Sequence, residues 1–418
     1  MLLRTSKEVS EYFRNFIKKD RLDIWIDNAF KTKIEYFKLN GKNIPKYINE
    51  YWTSKQRQAS SIHEISYRAC FKPQLPHFFI KIFTEPGDIV YDPFSGRGTT
   101  IIEAALMGRR VISNDINPLS RILAEPRLDI ADFTEIMNTL DEIPIYENLR
   151  AEIDLSMFYH PLTEAEIVSL QKYLDERRKN GNENRADRWI RMIATNRLTG
   201  HSKGFFSVYT LPPNQAVSPE RQKLINQKLN QKPEYRDVKK LILKKSNSLL
   251  RNLSEAQIKN LRKAYKTALF LENDARHTHQ IKSESVKLTV TSPPFLNIVQ
   301  YSKDNWLRCW FNRINIDEVA KKITTPRSIK QWSEIMQEVF YELFRITKPD
   351  GWVAFEVGEV KKGTLKLDEY VVPLGLNAGF ECEGILINLQ KFTKTSNIWG
   401  VNNNNLGTNT NRIVLFHK

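Results

Sequence analysis

The chain has little cysteine: Cys70, Cys309 and Cys382 are the 3 present in 418 residues. They are odd in number, far apart and outside any CxxC spacing. This argues against a disulfide framework and a cysteine-built zinc site, and it fits a reducing cytoplasm. No apolar run reaches the ~18 residues of a membrane span, so no membrane partner is expected. The segment from Met1 to Glu8 meets charge before any apolar stretch forms, which argues against a signal peptide. Histidine is also scarce, 7 in all. His201 and the pair His277/His279 have no cysteine or carboxylate cluster at ligand spacing, so no metal is expected. There is no internal repeat. Disorder is excluded as well, because 41 % of the residues are hydrophobic and 11 % aromatic, enough for a sizeable core. At about 150 residues per domain the length suggests two to three domains.

Acidic charge is the other shortage, with 48 Asp+Glu against 64 Lys+Arg, a formal net charge of +16. The imbalance is local. Residues 131–176 hold 2 basic and 11 acidic side chains, whereas residues 177–263 hold 21 basic and 6 acidic. A lysine-rich genome would spread the excess more evenly, so the second stretch is expected to face a polyanion. Arg185, Arg188, Arg191 and Arg197 share a helical stretch, with Lys203 just beyond. They are candidates for phosphate or guanine-edge contacts, the alternative being a solvated basic helix.

Residues 1–58 are expected to be helical, with apolar groups at helical spacing at Val9, Tyr12, Phe13 and Phe16 and again over 24–30. From 59 to 125 strand and helix alternate. Asp88–Tyr91 and Arg110–Ser113 are short strands flanking a helix over Thr99–Met107 that Gly108 stops. That βαβ unit predicts a parallel sheet. Residues 126–263 interrupt it with polar helices, clearest over Ile167–Arg178 and Val238–Leu261, and with a strand-and-loop stretch over Gly200–Asn214. The sheet rhythm returns with strands at Ala268–Leu271, Val286–Val290, Trp352–Glu356, Gly384–Leu389 and Arg412–Phe416, and a helix over Trp332–Ile346. The expected organisation is a helical segment (1–58), an α/β domain (59–125 with 264–418), and a basic, mostly helical insertion (126–263).

Two motifs carry chemistry. Asp92-Pro93-Phe94-Ser95-Gly96-Arg97-Gly98-Thr99-Thr100 follows a strand and opens a helix, where glycines permit a sharp turn and free N–H groups meet a ligand. Its spacing differs from the dinucleotide fingerprint and lacks a P-loop lysine. Asp115 ends the next strand, placed either to accept ribose hydroxyls or to cap a helix. Thr291-Ser292-Pro293-Pro294-Phe295 follows a later strand. Its prolines offer rigid carbonyl acceptors, Ser292 a hydroxyl, and Phe295 a flat face, a set suited to an exocyclic amine on a planar base. A decoy, Thr210-Leu-Pro-Pro-Asn214, lacks the aromatic residue and lies inside the insertion.

Together these motifs resemble the DNA amino-methyltransferases, which use S-adenosylmethionine on cytosine N4 or adenine N6. Phe71-Lys72-Pro-Gln-Leu-Pro76 resembles that family's N-terminal cofactor motif, Asp115-Ile116-Asn117-Pro118 its ribose-binding acid, and Glu272-Asn-Asp274-Ala275 the motif meeting the adenine amine. Trp306–Trp310 and Pro349–Trp352 fit its later helix and strand. The resemblance covers about 60–125 and 264–418. It implies a class I, Rossmann-like, mostly parallel seven-stranded sheet with helices on both faces, and S-adenosylmethionine as cofactor. Ser292, Pro293, Pro294 and Phe295 would be the catalytic residues, and the insertion a target-recognition segment on double-stranded DNA. Serine before Pro-Pro favours cytosine N4; adenine N6 is the alternative, and a non-catalytic DNA-binding subunit the alternative of another class. The resemblance also implies a bacterial, nucleoid-associated location and, as a candidate partner, a cognate restriction endonuclease.

Overall fold

The computed structural model describes residues 2–17, 31–52, 59–68, 70–211, 215–294, 301–324, 326–360, 365–389 and 410–418. In chain order the strands are β1 (Lys33–Leu39), β2 (Lys42–Asn49), β3 (Ile89–Asp92), β4 (Arg110–Asn114), β5 (Leu269–Leu271), β6 (Val286–Thr291), β7 (Thr347–Val357), β8 (Glu359–Val360), β9 (Leu365–Lys366), β10 (Glu381–Leu389) and β11 (Thr410–His417). All but the small β8–β9 ladder join one sheet of order β1-β2-β10-β11-β7-β6-β3-β4-β5.

Seven of these strands, from β10 to β5, form the expected mixed, mostly parallel sheet. β6, β3, β4 and β5 run parallel alongside β7, and β11 is inserted antiparallel between β7 and β10. The count of seven is corrected to nine. β1 and β2 form a hairpin, and β2 pairs parallel with β10, extending that edge. Among the described residues the reading of 1–58 as helical therefore holds only for Ser6–Arg14, which buries Val9 and Phe13. Residues 33–49 turn back through Asn40 and Gly41, both at positive φ (48° and 78°), the asparagine–glycine signature of a tight hairpin. The helical spacing read over 24–30 lies outside the described residues.

The insertion occupies the crossover from β4 to β5. Its helices include Pro161–Lys179, Arg185–Arg197, Pro219–Leu229, Val238–Leu250 and Glu255–Tyr265. The single helix expected over Val238–Leu261 is two, because Ser254 and Gln257 form a capping box that starts a new one. The strand expected near Gly200–Asn214 reduces, among the described residues, to an isolated bridge between Gly200 and Tyr209. Nor is the insertion a body apart. Trp189, Ile190 and Ile193 belong to the same apolar cluster as Phe79, Ile101 and Leu288 of the sheet layers, so both halves bury surface against each other. No helix among the described residues is long and apolar enough to cross a membrane.

The hairpin's attachment is sensitive at one point. Gly384 sits at a bulge in β10 with φ 139°, and a Cβ there would lie 2.7 Å from the Pro45 carbonyl oxygen of β2. Gly384→Ala is expected to cost about 1–3 kcal/mol. A calorimetric melt should show a lowered Tm, with the helical circular-dichroism signal of the folded state unchanged.

Candidate active site

β3 and β6 are parallel neighbours, with Val90 opposite Leu288 and Tyr91 opposite Thr289, so their C-terminal ends open on the same side. The two motifs leave the sheet there. The Thr291 hydroxyl donates to Asp92 Oδ1 at 2.6 Å, and the Thr100 hydroxyl donates to the Val290 carbonyl at 3.0 Å. One cleft receives both turns. Its lining includes Asp92, Pro93, Phe94, Ser95, Gly96 and Thr99 from the first, and Ser292 and Pro294 from the second.

The first turn is shaped by its glycines. Gly98 has φ 77° and a Cβ there would meet the Ala124 Cβ at 2.7 Å, so that position needs both the left-handed backbone and the missing side chain. Gly96 N–H donates to Asp115 Oδ2 at 2.8 Å and Asn117 N–H to Oδ1 at 2.9 Å. Asp115 thus ties the glycine turn to the end of β4. Each of its oxygens has one donor and keeps a lone pair, and the residue lines the cleft with Ile116 and Asn117. Burial pushes the Asp115 carboxyl up to about 6 and that of Asp92 up to about 7, against the hydrogen bonds each accepts. Arg97, buried between the glycines, donates to the Ile65 carbonyl at 2.7 Å and to Thr99 Oγ1 at 3.1 Å. It anchors the loop that brings Phe71 to the cleft. Lys72 stands beside that residue, off the lining, as do Gly98 and Thr100.

Ala275 and Asp274 complete the expected adenosine side. Asp274 is more engaged than its motif suggests. Arg276 holds it through Nε (2.9 Å) and Nη2 (2.6 Å), and these bonds outweigh burial and lower its pKa.

In the second turn Pro293 is buried and the Pro294 carbonyl accepts from Trp332 Nε1 at 3.1 Å. The rigid carbonyl array expected from the sequence is therefore partly used internally. No donor among the described residues reaches the Pro293 carbonyl. Ser292 follows Thr291, which pairs with Phe355, so it stands beside Glu356 at the end of β7. Phe295 lies outside the described residues. Tyr67, Arg68, Trp332, Met336 and the strap Lys322–Thr324 also line the cleft. Sequence reading passed over these, because no motif marks residues from helix faces and loops. Glu356 was visible as the acid closing a predicted strand.

The arginines assigned to DNA are placed otherwise. Arg185 bonds Glu135 (Nε–Oε1 3.1 Å) and lies 3.4 Å from Asp132, while Arg188 pairs with Asp129 at 2.7 Å. Arg191 is 1 % exposed, bonding Glu183 at 2.8 Å and the Leu174 carbonyl at 2.7 Å. Arg197 is buried over the Phe205 ring, 3.9 Å from its centroid. Arg191 and Arg197 thus serve the interior, and Arg185 and Arg188 neutralise acids of the 129–135 segment, much of the charge asymmetry being cancelled within the fold. Lys203 is exposed. A cluster of Glu381, Glu383 and His417 has carboxylate and imidazole atoms within 4.8 Å of one another, at the opposite end of the strands from the cleft.

Residues 5–123 match the DNA methylase family of N6 and N4 enzymes. Among curated proteins, the chain is 35 % identical over 88 residues to the type II methyltransferase M.MjaII of Methanocaldococcus jannaschii, covering 21 % of this chain and 17 % of that one. It is 25 % identical over 342 residues to the type II methyltransferase M.BsoBI of Geobacillus stearothermophilus, covering 72 % and 62 %. To the orphan methyltransferase M.BamHII of Bacillus amyloliquefaciens it is 29 % identical over 122 residues, covering 26 % and 46 %. The match spans less than two thirds of each relative's length.

Two outcomes follow from these contacts. With Asp115 as the expected acceptor of ribose hydroxyls, a role that its ionised form serves, affinity for S-adenosylmethionine is predicted to weaken as pH falls through about 6, by about tenfold per unit well below it. Calorimetric titrations from pH 5 to 8 should show this for the wild type and a flat, weaker profile for Asp115→Asn. Arg191→Ala, which strips the buried partner from Glu183, should cost about 3 kcal/mol in denaturant unfolding.

Proposed function

We propose that this chain is a DNA amino-methyltransferase that methylates the exocyclic N4 amine of cytosine in double-stranded DNA, using S-adenosylmethionine. The observation that carries the reading is the shared cleft: the glycine turn after β3 and the Ser-Pro-Pro turn after β6 line one pocket and are tied by the Thr291–Asp92 bond.

The chain's residues fit the cofactor. Asp115 keeps lone pairs for two ribose hydroxyls, and Phe71, Phe94 and Ile116 provide apolar walls for the nucleoside. Asp274 retains a free acceptor position on Oδ2 for the adenine amine, though its orientation belongs to Arg276. Bound there, S-adenosylmethionine supplies an electrophilic methyl group on a sulfonium. The target amine is a weak nucleophile because its lone pair is delocalised into the ring. Ser292 Oγ and the Pro293 carbonyl accept from its N–H groups, favouring a pyramidal nitrogen aligned for transfer. The proton then leaves to water and no covalent intermediate forms. A stacked base cannot enter such a recess, so the target is turned out of the duplex, with Phe295 as the residue to stack on it.

Serine before Pro-Pro supports cytosine over adenine. For duplex contacts we propose the insertion surface, through exposed Lys203, Lys223, Lys228 and Lys232, in place of the internally paired arginines. Site-specific methylation of this kind suits a restriction-modification role with a matching endonuclease.

Ser292→Ala is expected to bind S-adenosylmethionine with wild-type affinity and to lose about 100-fold or more in labelled-methyl transfer to DNA. Unchanged turnover would remove Ser292 from the mechanism. Mass spectrometry of nucleosides from DNA of an expressing host should show N4-methylcytosine; N6-methyladenine there would overturn the choice of base.

A further inference from the structure

We propose that a second cavity, where the insertion packs against the ends of β4 and β5, binds a phosphate-class oxyanion through Arg188 and Arg191. The site is separate from the cleft described above and does not depend on the reaction proposed for it.

The cavity measures about 400 Å³. Pro118, just beyond β4, and Glu272, just beyond β5, belong to one wall. Arg178, Arg188 and Arg191, from the helices Pro161–Lys179 and Arg185–Arg197, belong to the other. Asn117 and Asn273, the chain neighbours of Pro118 and Glu272, line the first cleft. The turns after β4 and β5 are thus a partition shared by the two recesses.

Charge and hydrogen bonding in this cavity are not fully matched. Arg121 is a fourth arginine in the lining, against the three glutamates Glu125, Glu183 and Glu272. Glu125 accepts from Arg121 Nε at 2.7 Å and from the Tyr265 hydroxyl at 3.2 Å. Glu183 accepts from Arg191 Nε at 2.8 Å, with Arg178 Nε 3.7 Å away. Behind the lining, Asp129 accepts from Arg188 Nη2 at 2.7 Å and Asp175 from Arg313 Nε at 3.1 Å. Glu272 is exposed at the rim. The inner acids are therefore committed, whereas two guanidinium donors are not. Arg191 Nη1 and Arg188 Nε are buried and reach no hydrogen-bond acceptor among the described residues, Asp175 Oδ1 standing 3.8 Å from the former. Arg191 is 1 % exposed, so bulk water does not serve it.

A buried N–H of a charged group is costly to leave without an acceptor, and guanidinium groups match the oxygens of a phosphate closely. One tetrahedral anion offers acceptors to two arginines at once. Ile122, Pro126 and Ile314 give the remainder of the recess apolar surface, suited to an organic group carried by a phosphate ester. A free phosphate compound and a phosphodiester of a DNA backbone present the same oxygens.

The test titrates inorganic phosphate into the full chain at constant ionic strength, followed by phosphorus NMR, with S-adenosylmethionine saturating. Wild type should show saturable broadening. Arg188→Lys keeps a cation beside Asp129 and removes the Nε donor; Ile314→Trp fills the recess without altering charge. Each should weaken phosphate binding about tenfold or more. A second arm measures duplex DNA affinity against salt. A slope lowered by about 1 in both variants assigns the oxyanion to the DNA backbone. An unchanged slope beside lost phosphate binding assigns it to a free phosphate compound. The proposal is overturned if the variants match the wild type in both arms. Should both melt far below the wild type, Arg178→Ala at the exposed rim decides, and phosphate and DNA binding both unmoved there overturn the proposal.

Discussion

The structure depends on a hydrogen bond buried between two strand ends. The Thr291 hydroxyl donates a hydrogen bond to Asp92, 199 positions earlier in the chain, and this fixes the glycine turn against the proline turn. Neither turn is rigid on its own account. The first needs left-handed glycines and an aspartate from the neighbouring strand to hold its amides, and the second needs Trp332 to hold a carbonyl. The bond between them sets the distance over which any methyl group would travel, because both ends rest on a parallel sheet that cannot slide without breaking its ladder. Burial makes the arrangement demanding. Asp92 and Asp115 are both pushed towards the protonated form by burial, a cost that hydroxyl donors placed against them would offset.

What could be read from the chain beforehand follows how local the physics is. The two turns were legible because glycine and proline act on their own backbone, and the strands of the α/β core because each is a short apolar run between turn residues. The hairpin over 33–49 was not. Its strands are lysine-rich, Pro45 sits inside the second, and only Asn40-Gly41 signals the turn. The arginines were misread for a related reason. Arg185 meets Glu135 and Arg188 meets Asp129, partners 50 and 59 positions away, so composition saw unpaired charge where the fold had paired it.

The pairing of acidic and basic segments also alters how the insertion should be pictured. Asp132 alone meets both Arg185 and Arg262, while Glu152 and Asp175 meet Arg313 of the later α/β half. These links are partly exposed and individually weak, yet they stitch the crossover to the elements on either side. The charge left for a polyanion is the lysine population outside this network, a smaller and more dispersed set than the count of 21 basic residues implied.

Because Trp189 and its neighbours lie in the same apolar cluster as the sheet, the insertion cannot be exchanged as a cassette. Transplanting a different crossover would expose the floor on which the strands lining the cleft rest. If the insertion reads the target, as proposed, changes of target sequence would have to arise by editing exposed loops and helix rims, residue by residue, with the packed underside left as it is.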